Sequence, residues 1–465
     1  MKKTLLVLSS LLVLIISAVY AQQYFSTSLH ATREGKATAY AKENGGMEII
    51  TSIPMNDLPC KRCHAAKYAD GTPVDNANYT PGCKDCHDFT KGSAVSESVC
   101  LGCHNRQVYE MQMYPDSTEQ GDVHRKKGVK CMQCHKIEEV HGDGTAYKSW
   151  FDEGASKTSC IECHPVDKLS SNSAHNMHGK NTDKFECTAC HTRSIVSCSN
   201  CHFETLIATK MNRAQVKINN FQMLLKKNGK FTSGTYMTHT YDGKTNVIFA
   251  PFRSHVIMKE GLSCDACHLN MGDKNIAIQE YNEKGSIQMT KFESTTKKLS
   301  WAKGVIPLVA DWDRAYIYDF TTYKGDIMNI TSDPTKWEYI KSTTDNAHLY
   351  YCEPLTAAEM KKLGFTRDPN GVNEFVDNEV LKLWNPYPNP TSDNTYLKFN
   401  VGTYSNIRIT INGISGNEIR EIIANPMNPG EYNIQINTND LASGTYLIKA
   451  EINNKNLIQK LIVRH

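Results

Sequence analysis

The chain has 465 residues, of which 40% are hydrophobic and 22% are charged, with a formal net charge of +3 and 17 cysteines. The near balance of charge and the lack of a basic binding motif argue against a nucleic-acid-binding protein. The cysteine count leaves a disulfide framework, zinc sites and redox centres open.

Residues 1–21 have the pattern of a secretory signal peptide. Two lysines precede an apolar run from Leu5 to Val19, and small residues allow cleavage after Ala21. The apolar run is short for a bilayer-spanning helix, so a membrane anchor is the weaker alternative. The sequence therefore predicts export from the cytoplasm.

Eight Cys-x-x-Cys pairs, each followed directly by histidine, occupy the region up to residue 268. The pairs are Cys60 and Cys63, Cys83 and Cys86, Cys100 and Cys103, Cys131 and Cys134, Cys160 and Cys163, Cys187 and Cys190, Cys198 and Cys201, and Cys264 and Cys267. The histidines that follow them are His64, His87, His104, His135, His164, His191, His202 and His268. Neither disulfides nor zinc sites require a histidine at this position in every copy, whereas attachment of c-type haem does. The sequence thus predicts eight covalent haem c groups, each held by two thioethers with the histidine as proximal iron ligand.

The motif-bearing segment offers little polypeptide for each cofactor, too little to bury eight haems behind an ordinary apolar core. The macrocycles are therefore expected to form the core. The predicted fold class is mostly coil and short α-helices around packed haems, with a C-terminal all-β sandwich. Only six residues separate His191 from Cys198, so the sixth and seventh haems are expected to be neighbours.

The second axial ligand decides whether an iron carries electrons only or also binds substrate, because a haem with two histidines has no vacant position. Nine histidines lie outside the motifs, and His465 belongs to the C-terminal region. The remaining eight are the candidate distal ligands: His30, His124, His141, His175, His178, His239, His255 and His348. Their number equals the number of motifs, which favours bis-histidine ligation throughout.

The segment after the seventh motif shows three local patterns. Apolar residues from Ile207 to Leu225 follow helical spacing and predict an amphipathic helix. Tyr236 to Tyr241 and Thr245 to Phe249, joined by Asp-Gly, predict a β-hairpin. Thr356 and Glu359 have the spacing of a capping box for a short helix that ends near Gly364.

From about residue 383 the hydrophobic period changes to two, which predicts a small β-sandwich. The alternating apolar residues are Leu397, Phe399 and Val401; Ile407, Ile409 and Ile411; and Tyr432, Ile434 and Ile436. The segments Tyr387-Pro-Asn-Pro390, Gly413-Ile-Ser-Gly416, Leu441-Ala-Ser-Gly-Thr-Tyr-Leu447 and Lys460-Leu-Ile-Val-Arg464 resemble those of C-terminal sorting domains of type IX secretion substrates. A carbohydrate-binding or adhesive sandwich is the alternative.

The eight motifs resemble those of multihaem cytochromes c. This resemblance implies either electron conduits, some of them extracellular and polymeric, or octahaem enzymes acting on nitrite, hydroxylamine or tetrathionate. The closely spaced motifs are the sixth and seventh here, not the fourth and fifth as in octahaem hydroxylamine oxidoreductases. The lysine-containing attachment motif of ammonia-forming nitrite reductases is absent. Both differences favour an electron carrier.

The expected domains are a signal peptide at 1–21, an octahaem cytochrome domain at 22–300, a haem-free accessory region and linker at 301–382, and the sorting sandwich at 383–465. We expect a secreted protein that transfers electrons through eight mainly bis-histidine haems at the cell surface, and not an enzyme. The expected partners are other cytochromes or outer-membrane conduits, extracellular electron acceptors, the type IX secretion machinery and further copies of the chain, with no nucleic acid. An octahaem oxidoreductase acting on nitrite, hydroxylamine or tetrathionate at one open haem is the alternative.

Overall fold

The computed structural model describes residues 23–58, 64–179, 184–210, 213–331, 333–369, 381–401, 405–427, 430–452 and 455–465. The predicted signal peptide, and Cys60 and Cys63 of the first motif, lie outside these residues. The chain divides into two compact units, Met1–Gly371 and Val372–His465. In the described part of the chain, the helices are too short or too polar to cross a membrane.

The helices are short throughout the described residues. The α-helices are Leu29–Thr32, Glu34–Tyr40, Glu48–Thr51, Glu97–Leu101, Asn105–Met113, Cys131–Cys134, Ile137–His141, Ser173–His178, Thr188–His191, Phe203–Thr209, Cys264–Cys267, Ile276–Lys284, Trp312–Ala315 and Ala357–Leu363. The 3-10 turns are Phe25–Thr27, Lys42–Asn44, Met55–Asp57, Cys83–Asp85, Arg125–Lys127, Cys160–Glu162, Val166–Lys168, Leu269–Met271 and Pro334–Lys336.

Strands dominate the second half of the first unit. They are β1 Ile195–His202, β2 Arg213–Lys227, β3 Lys230–Tyr241, β4 Lys244–Pro251, β5 Ile287–Glu293, β6 Lys298–Trp301, β7 Gly304–Pro307, β8 Tyr316–Tyr318, β9 Phe320–Tyr323, β10 Trp337–Lys341 and β11 Asn346–Leu349. The main sheet has six strands in the order β11-β4-β3-β1-β2-β7, and β2 also pairs with β3. A three-stranded sheet, β6-β5-β8, and a two-stranded sheet, β10-β9, accompany it.

The predicted fold class, coil and short helices around packed haems, is wrong. The chain is 32% strand and 27% helix, and only five helices of the described chain reach seven residues. The physical reason is an ordinary apolar core that β2, β3, β4, β5 and β7 build without any cofactor. Phe221, Met223, Tyr236 and Ile287 in this core are at most 1% exposed. The cofactors are therefore not needed to fill this part of the interior.

The helix predicted from Ile207 to Leu225 is also wrong for most of its length. Phe203–Thr209 is helical, but Lys210 adopts a left-handed conformation that ends the helix, and β2 begins at Arg213. Long runs of apolar residues fit both a helix and a buried strand, so the periodicity alone did not distinguish them.

The other two local predictions are confirmed. β3 and β4 form an antiparallel hairpin in which Tyr241 pairs with Lys244 around Asp242 and Gly243, both with positive φ. The Thr356 hydroxyl accepts a hydrogen bond from the Glu359 backbone N–H at 3.3 Å, and Glu359 Oε2 accepts one from the Thr356 N–H at 2.7 Å.

The second unit is the β-sandwich that the alternating pattern predicts. Its strands are β12 Leu381–Leu383, β13 Asn394–Val401, β14 Ser405–Gly413, β15 Glu418–Met427, β16 Gly430–Asn437, β17 Gly444–Ile452 and β18 Lys455–Val463. They form one sheet in the order β12-β13-β16 and a second in the order β15-β14-β17-β18. Leu397, Phe399, Ile409 and Ile448 are fully buried in the core shared by both sheets.

Replacing Phe399 with alanine should destabilise the sandwich by about 3–5 kcal/mol, because a fully buried aromatic ring leaves a cavity. The ring also stacks on Tyr432 at 5.4 Å between centroids. Urea unfolding of the fragment 372–465, followed by the fluorescence of its one tryptophan, Trp384, measures the change. The matched control is Ile414→Ala, since Ile414 is 76% exposed and should alter stability by less than about 0.5 kcal/mol. Equal effects of the two substitutions would contradict the described core.

Candidate haem-ligating histidines

Six of the eight motifs share one local backbone conformation. In each, the two cysteines lie in or beside a helical or 3-10 turn, and the histidine N–H donates a hydrogen bond to the carbonyl of the first cysteine. These bonds join His87 to Cys83, His104 to Cys100, His135 to Cys131, His164 to Cys160, His191 to Cys187 and His268 to Cys264, at N–O distances of 2.8–3.0 Å. Residues three apart on a helical turn lie on one face, so the turn presents both thiols to the same side.

The histidine rings of these same six motifs each face a second imidazole from elsewhere in the chain. The pairs are His104 with His30 at 6.1 Å between ring centroids, His87 with His141 at 6.0 Å, His164 with His124 at 6.0 Å, His135 with His255 at 6.2 Å, His191 with His175 at 6.2 Å, and His268 with His178 at 6.1 Å. Two imidazoles that bind opposite sides of one metal ion through N–metal bonds of about 2 Å have centroids about 6 Å apart. The spacing therefore fits one metal ion between the rings of every pair.

Short helices position several of the second imidazoles. His30 lies in Leu29–Thr32, and His141 is the last residue of Ile137–His141. His175 and His178 both lie in Ser173–His178, three residues apart on one face. This single helix thus supplies the partner rings for the sixth and the eighth motifs and brings these two motifs together.

Several ring nitrogens are held in the orientation that metal-ligating histidines adopt. The Nδ1–H of His191 donates to the Met258 carbonyl at 3.1 Å, and that of His268 donates to the Lys362 carbonyl at 3.0 Å. His175 Nδ1 donates in the same way to a backbone carbonyl at 2.9 Å. A carbonyl can only accept, so each bond fixes the tautomer in which Nε2 carries a lone pair for a metal.

The pair at the fourth motif is flanked by two buried carboxylates. His135 Nδ1 lies 2.8 Å from Glu139 Oε2, and His255 Nδ1 lies 3.5 Å from Glu110 Oε2. Burial alone would raise the pKa of Glu139, but hydrogen bonds from His135 and from the Lys157 backbone outweigh it and lower that pKa. Glu139 is therefore charged, and it makes the His135 imidazole more electron-rich.

Sequence reasoning missed both carboxylates. Glu139 follows His135 by four residues, a spacing that brings side chains together on a helical turn, and this signal was readable. Glu110 is far from His255 in sequence, and only the tertiary structure joins them.

Four further candidate ligands do not form such pairs within the described residues. His64 packs its ring on Tyr79 at 4.4 Å between centroids. His202 ends β1, His239 lies in β3 and His348 lies in β11, all three buried. Their ligand roles remain predictions from the sequence.

The two buried histidines of β3 and β11 are held neutral. Burial and the neighbouring His348 lower the pKa of His239 to about 3. Burial lowers the pKa of His348 to about 4. Neither ring is therefore charged at neutral pH.

Thiols of successive motifs interact, through hydrogen bonds or at electrostatic range. The interacting thiols are Cys86 with Cys100, Cys100 with Cys131, Cys134 with Cys163, Cys160 with Cys187, and Cys190 with Cys264 and Cys267. These contacts link the second, third, fourth, fifth, sixth and eighth motifs in one continuous series.

The described residues fit a group that needs two thiols and two axial imidazoles. No disulfide joins the described cysteines. No cluster of three His, Cys, Asp or Glu side chains that could hold a bare metal ion occurs in the described part of the chain. Thiol pairs on turns and imidazole pairs about 6 Å apart would suit a covalently attached haem and do not form a tetrahedral zinc site.

The comparisons with known proteins identify only the C-terminal region. Residues 385–464 match the family described as the secretion system C-terminal sorting domain. The protein is therefore secreted, to the cell surface or beyond it, and its C-terminal domain directs it to the type IX secretion machinery. Among curated proteins, none matches the chain.

Two solved structures show weak likeness. A CARDB domain from Pyrococcus furiosus, in complex with di-metal ions, is 16% identical, and the match covers 18% of this chain and 86% of that one with a TM-score of 0.15. The endo-beta-1,4-mannanase from Thermotoga petrophila is 11% identical, and the match covers 47% of this chain and 46% of that one with a TM-score of 0.14. At these TM-scores neither likeness bears on fold or function.

Substituting glutamine for Glu139 should raise the reduction potential of one haem, because the His135 imidazole then loses a charged hydrogen-bond acceptor. A shift on the order of 60 mV, equal to a tenfold change in a one-electron equilibrium, is expected. Spectroscopic redox titration of the whole protein measures it. Glu138→Gln is the matched control, since no hydrogen bond joins that carboxylate to an imidazole in the described residues. Identical titrations of the two variants would contradict the role of Glu139.

Ending the chain at Gly371, the last residue of the first unit, should stop export across the outer membrane. The shortened protein should collect in the periplasm, where protease added to whole cells does not reach it. It should also keep its haems, because none of the motifs lies in the removed segment. Surface exposure of the shortened protein would show that residues 385–464 are not required for sorting.

Proposed function

We propose that this protein is a secreted multihaem cytochrome c that transfers electrons at the cell surface. The single observation that supports this most directly is the set of six imidazole pairs, each with one ring from an attachment motif and one from elsewhere, at 6.0–6.2 Å between centroids. Haem bound by two thioethers and two imidazoles would supply a one-electron carrier with no vacant position for substrate.

The chain arranges these sites as a series, not as separate centres. Each thiol interaction, by hydrogen bond or at electrostatic range, joins two motifs, from Cys86 at the second motif to Cys267 at the eighth. His64 lies near the same series, since Ala65, next to it, lies close to Gly102 of the third motif. A continuous series of attachment sites is the arrangement that long-range electron transfer requires, and single isolated sites would not serve it.

The location of the protein, at the cell surface or beyond it, agrees with this function. The sorting domain places the protein outside the outer membrane, and c-type haem is attached before that step, on the periplasmic side. Other cytochromes, outer-membrane conduits and extracellular acceptors are the partners that such a carrier would exchange electrons with. The C-terminal domain is the part of the chain that would bind the secretion machinery.

A second function, reduction of a small nitrogen or sulfur oxyanion, would need a site with one imidazole only. Among the described residues, His64 is the candidate for such a site. Its ring packs on Tyr79, and no second described imidazole pairs with it. The Tyr79 hydroxyl donates to Asp85 at 2.9 Å and accepts from Arg33 at 3.3 Å, which places a charged group beside it. Turnover of nitrite or hydroxylamine together with a high-spin signal in the unmodified protein would favour this function.

Replacing His175 with alanine should convert one low-spin haem to the high-spin state, because the sixth motif then has one imidazole. Low-temperature EPR of the oxidised protein measures the number of high-spin irons. The helix that carries His175 is short and mostly exposed, so the fold should persist.

His465→Ala is the matched control, since His465 binds the Leu441 carbonyl within the second unit, whose sequence contains no motif. No new high-spin signal in the His175 variant would contradict the proposed ligation.

A further inference from the structure

The seventh Cys-x-x-Cys-His sequence has a different structure from the six motifs that form turns. We propose that Cys198, Cys201 and His202 are part of the main sheet and carry no haem, so that the mature protein holds seven haems and not eight. This inference depends on the proposed function, because it assumes that the other motifs carry haem. Its argument uses only the surroundings of this one segment.

The backbone of the seventh motif is a strand and not a turn. Cys198 pairs with Lys217, and Cys201 pairs with Ala214, both on the antiparallel neighbour β2. Cys201 also pairs with His239 on β3, so β1 has a neighbour at both edges. Forming the turn seen in the other six motifs would break these ladder hydrogen bonds.

The two residues between the cysteines are buried and make hydrogen bonds inside the protein. Ser199 and Asn200 are fully buried. The Asn200 N–H donates to Thr238 Oγ1 at 2.7 Å, and the Asn200 side chain donates to the Asp319 carbonyl at 3.3 Å. The side-chain oxygen of Asn200 accepts a hydrogen bond from the Thr321 N–H at 3.3 Å. These bonds tie β1 to β3 and β9 and hold the motif in the sheet, with Asn200 in a left-handed conformation.

The His202 ring is oriented opposite to the rings of His191 and His268, which hydrogen-bond through Nδ1. Its Nε2, the atom that would bind iron, lies 3.2 Å from Thr322 Oγ1 and 3.1 Å from Glu204 Oε2. Its Nδ1 is buried and makes no hydrogen bond within the described residues. The side chain is only 3% exposed, and the rings of Tyr323 and Trp337 pack against it. Thr322 and Glu204 thus occupy the space that an iron and its macrocycle would need.

The series of attachment sites is continuous without this motif. Cys190 of the sixth motif lies within electrostatic range of Cys264 of the eighth. Cys198 instead interacts with Arg106 and Lys217. The helix Ser173–His178 carries the second imidazoles of both the sixth and the eighth motifs, so these two motifs lie next to each other.

Trypsin separates the sixth and seventh motifs into neighbouring peptides, which gives an internal control. Cleavage after Lys184, Arg193 and Lys210 releases residues 185–193, with the sixth motif, and residues 194–210, with the seventh. The purified holoprotein is denatured, reduced, alkylated and digested, and both peptides are measured by mass spectrometry. We expect haem on residues 185–193, and no haem but two alkylated thiols on residues 194–210.

The outcomes distinguish this inference from the proposed function. Haem on both peptides would overturn the inference and leave the function intact, while haem on neither would overturn the function. The intact mass should correspond to seven haems, and eight would overturn the inference. Changing Cys198 and Cys201 to alanine should leave the haem number unchanged, whereas changing Cys187 and Cys190 to alanine should lower it by one.

Discussion

The constraint on which the first unit depends is the approach of two imidazoles to a fixed spacing, repeated six times. A spacing of 6.0–6.2 Å between ring centroids suits a metal ion between the rings. Each pair joins distant segments, such as His30 with His104 and His135 with His255. The short helices around them have little apolar surface of their own. In the proposed cytochrome, each pair would clamp two chain segments to one cofactor, and these clamps would replace side-chain packing in that half of the unit.

The main sheet, in the second half of the first unit, is stabilised differently, by apolar packing. β2, β3 and β4 bury Phe221, Tyr236 and Phe249 in a core that needs no cofactor. Just after β4, the chain is joined to the first half, because Glu110 in the helix Asn105–Met113 accepts hydrogen bonds from Ser254 Oγ at 2.8 Å and from the His255 N–H at 3.1 Å. The rigid sheet can therefore fix imidazole positions that short helices alone would leave loose. Such outer ligands tune a metal site as well as orient it.

Identical sequence motifs can have opposite structural roles in this chain. The sixth motif is a turn whose ring donates Nδ1–H to the Met258 carbonyl. The seventh motif, only a few residues later, is a strand. The Nε2 atom of its histidine, His202, lies 3.2 Å from Thr322 Oγ1. What separates them is the residues that surround each motif: Ser199 and Asn200 have partners on β3 and β9, and these partners hold the strand. A motif therefore sets which chemistry is available, and its neighbours decide whether the geometry permits it.

The sequence by itself determined what depends on neighbours in the chain: the hairpin turn at Asp242 and Gly243, the capping box at Thr356, and the alternating strands of the C-terminal sandwich with its sorting segments. Each of these is a local interaction with a recognisable spacing. The tertiary structure alone decided which imidazole faces which motif, because those pairs join residues far apart in the chain. It also decided that Ile218 and Phe221 lie in a strand and not a helix, since apolar spacing in a buried segment fits both and only the pairing with β1 selects one.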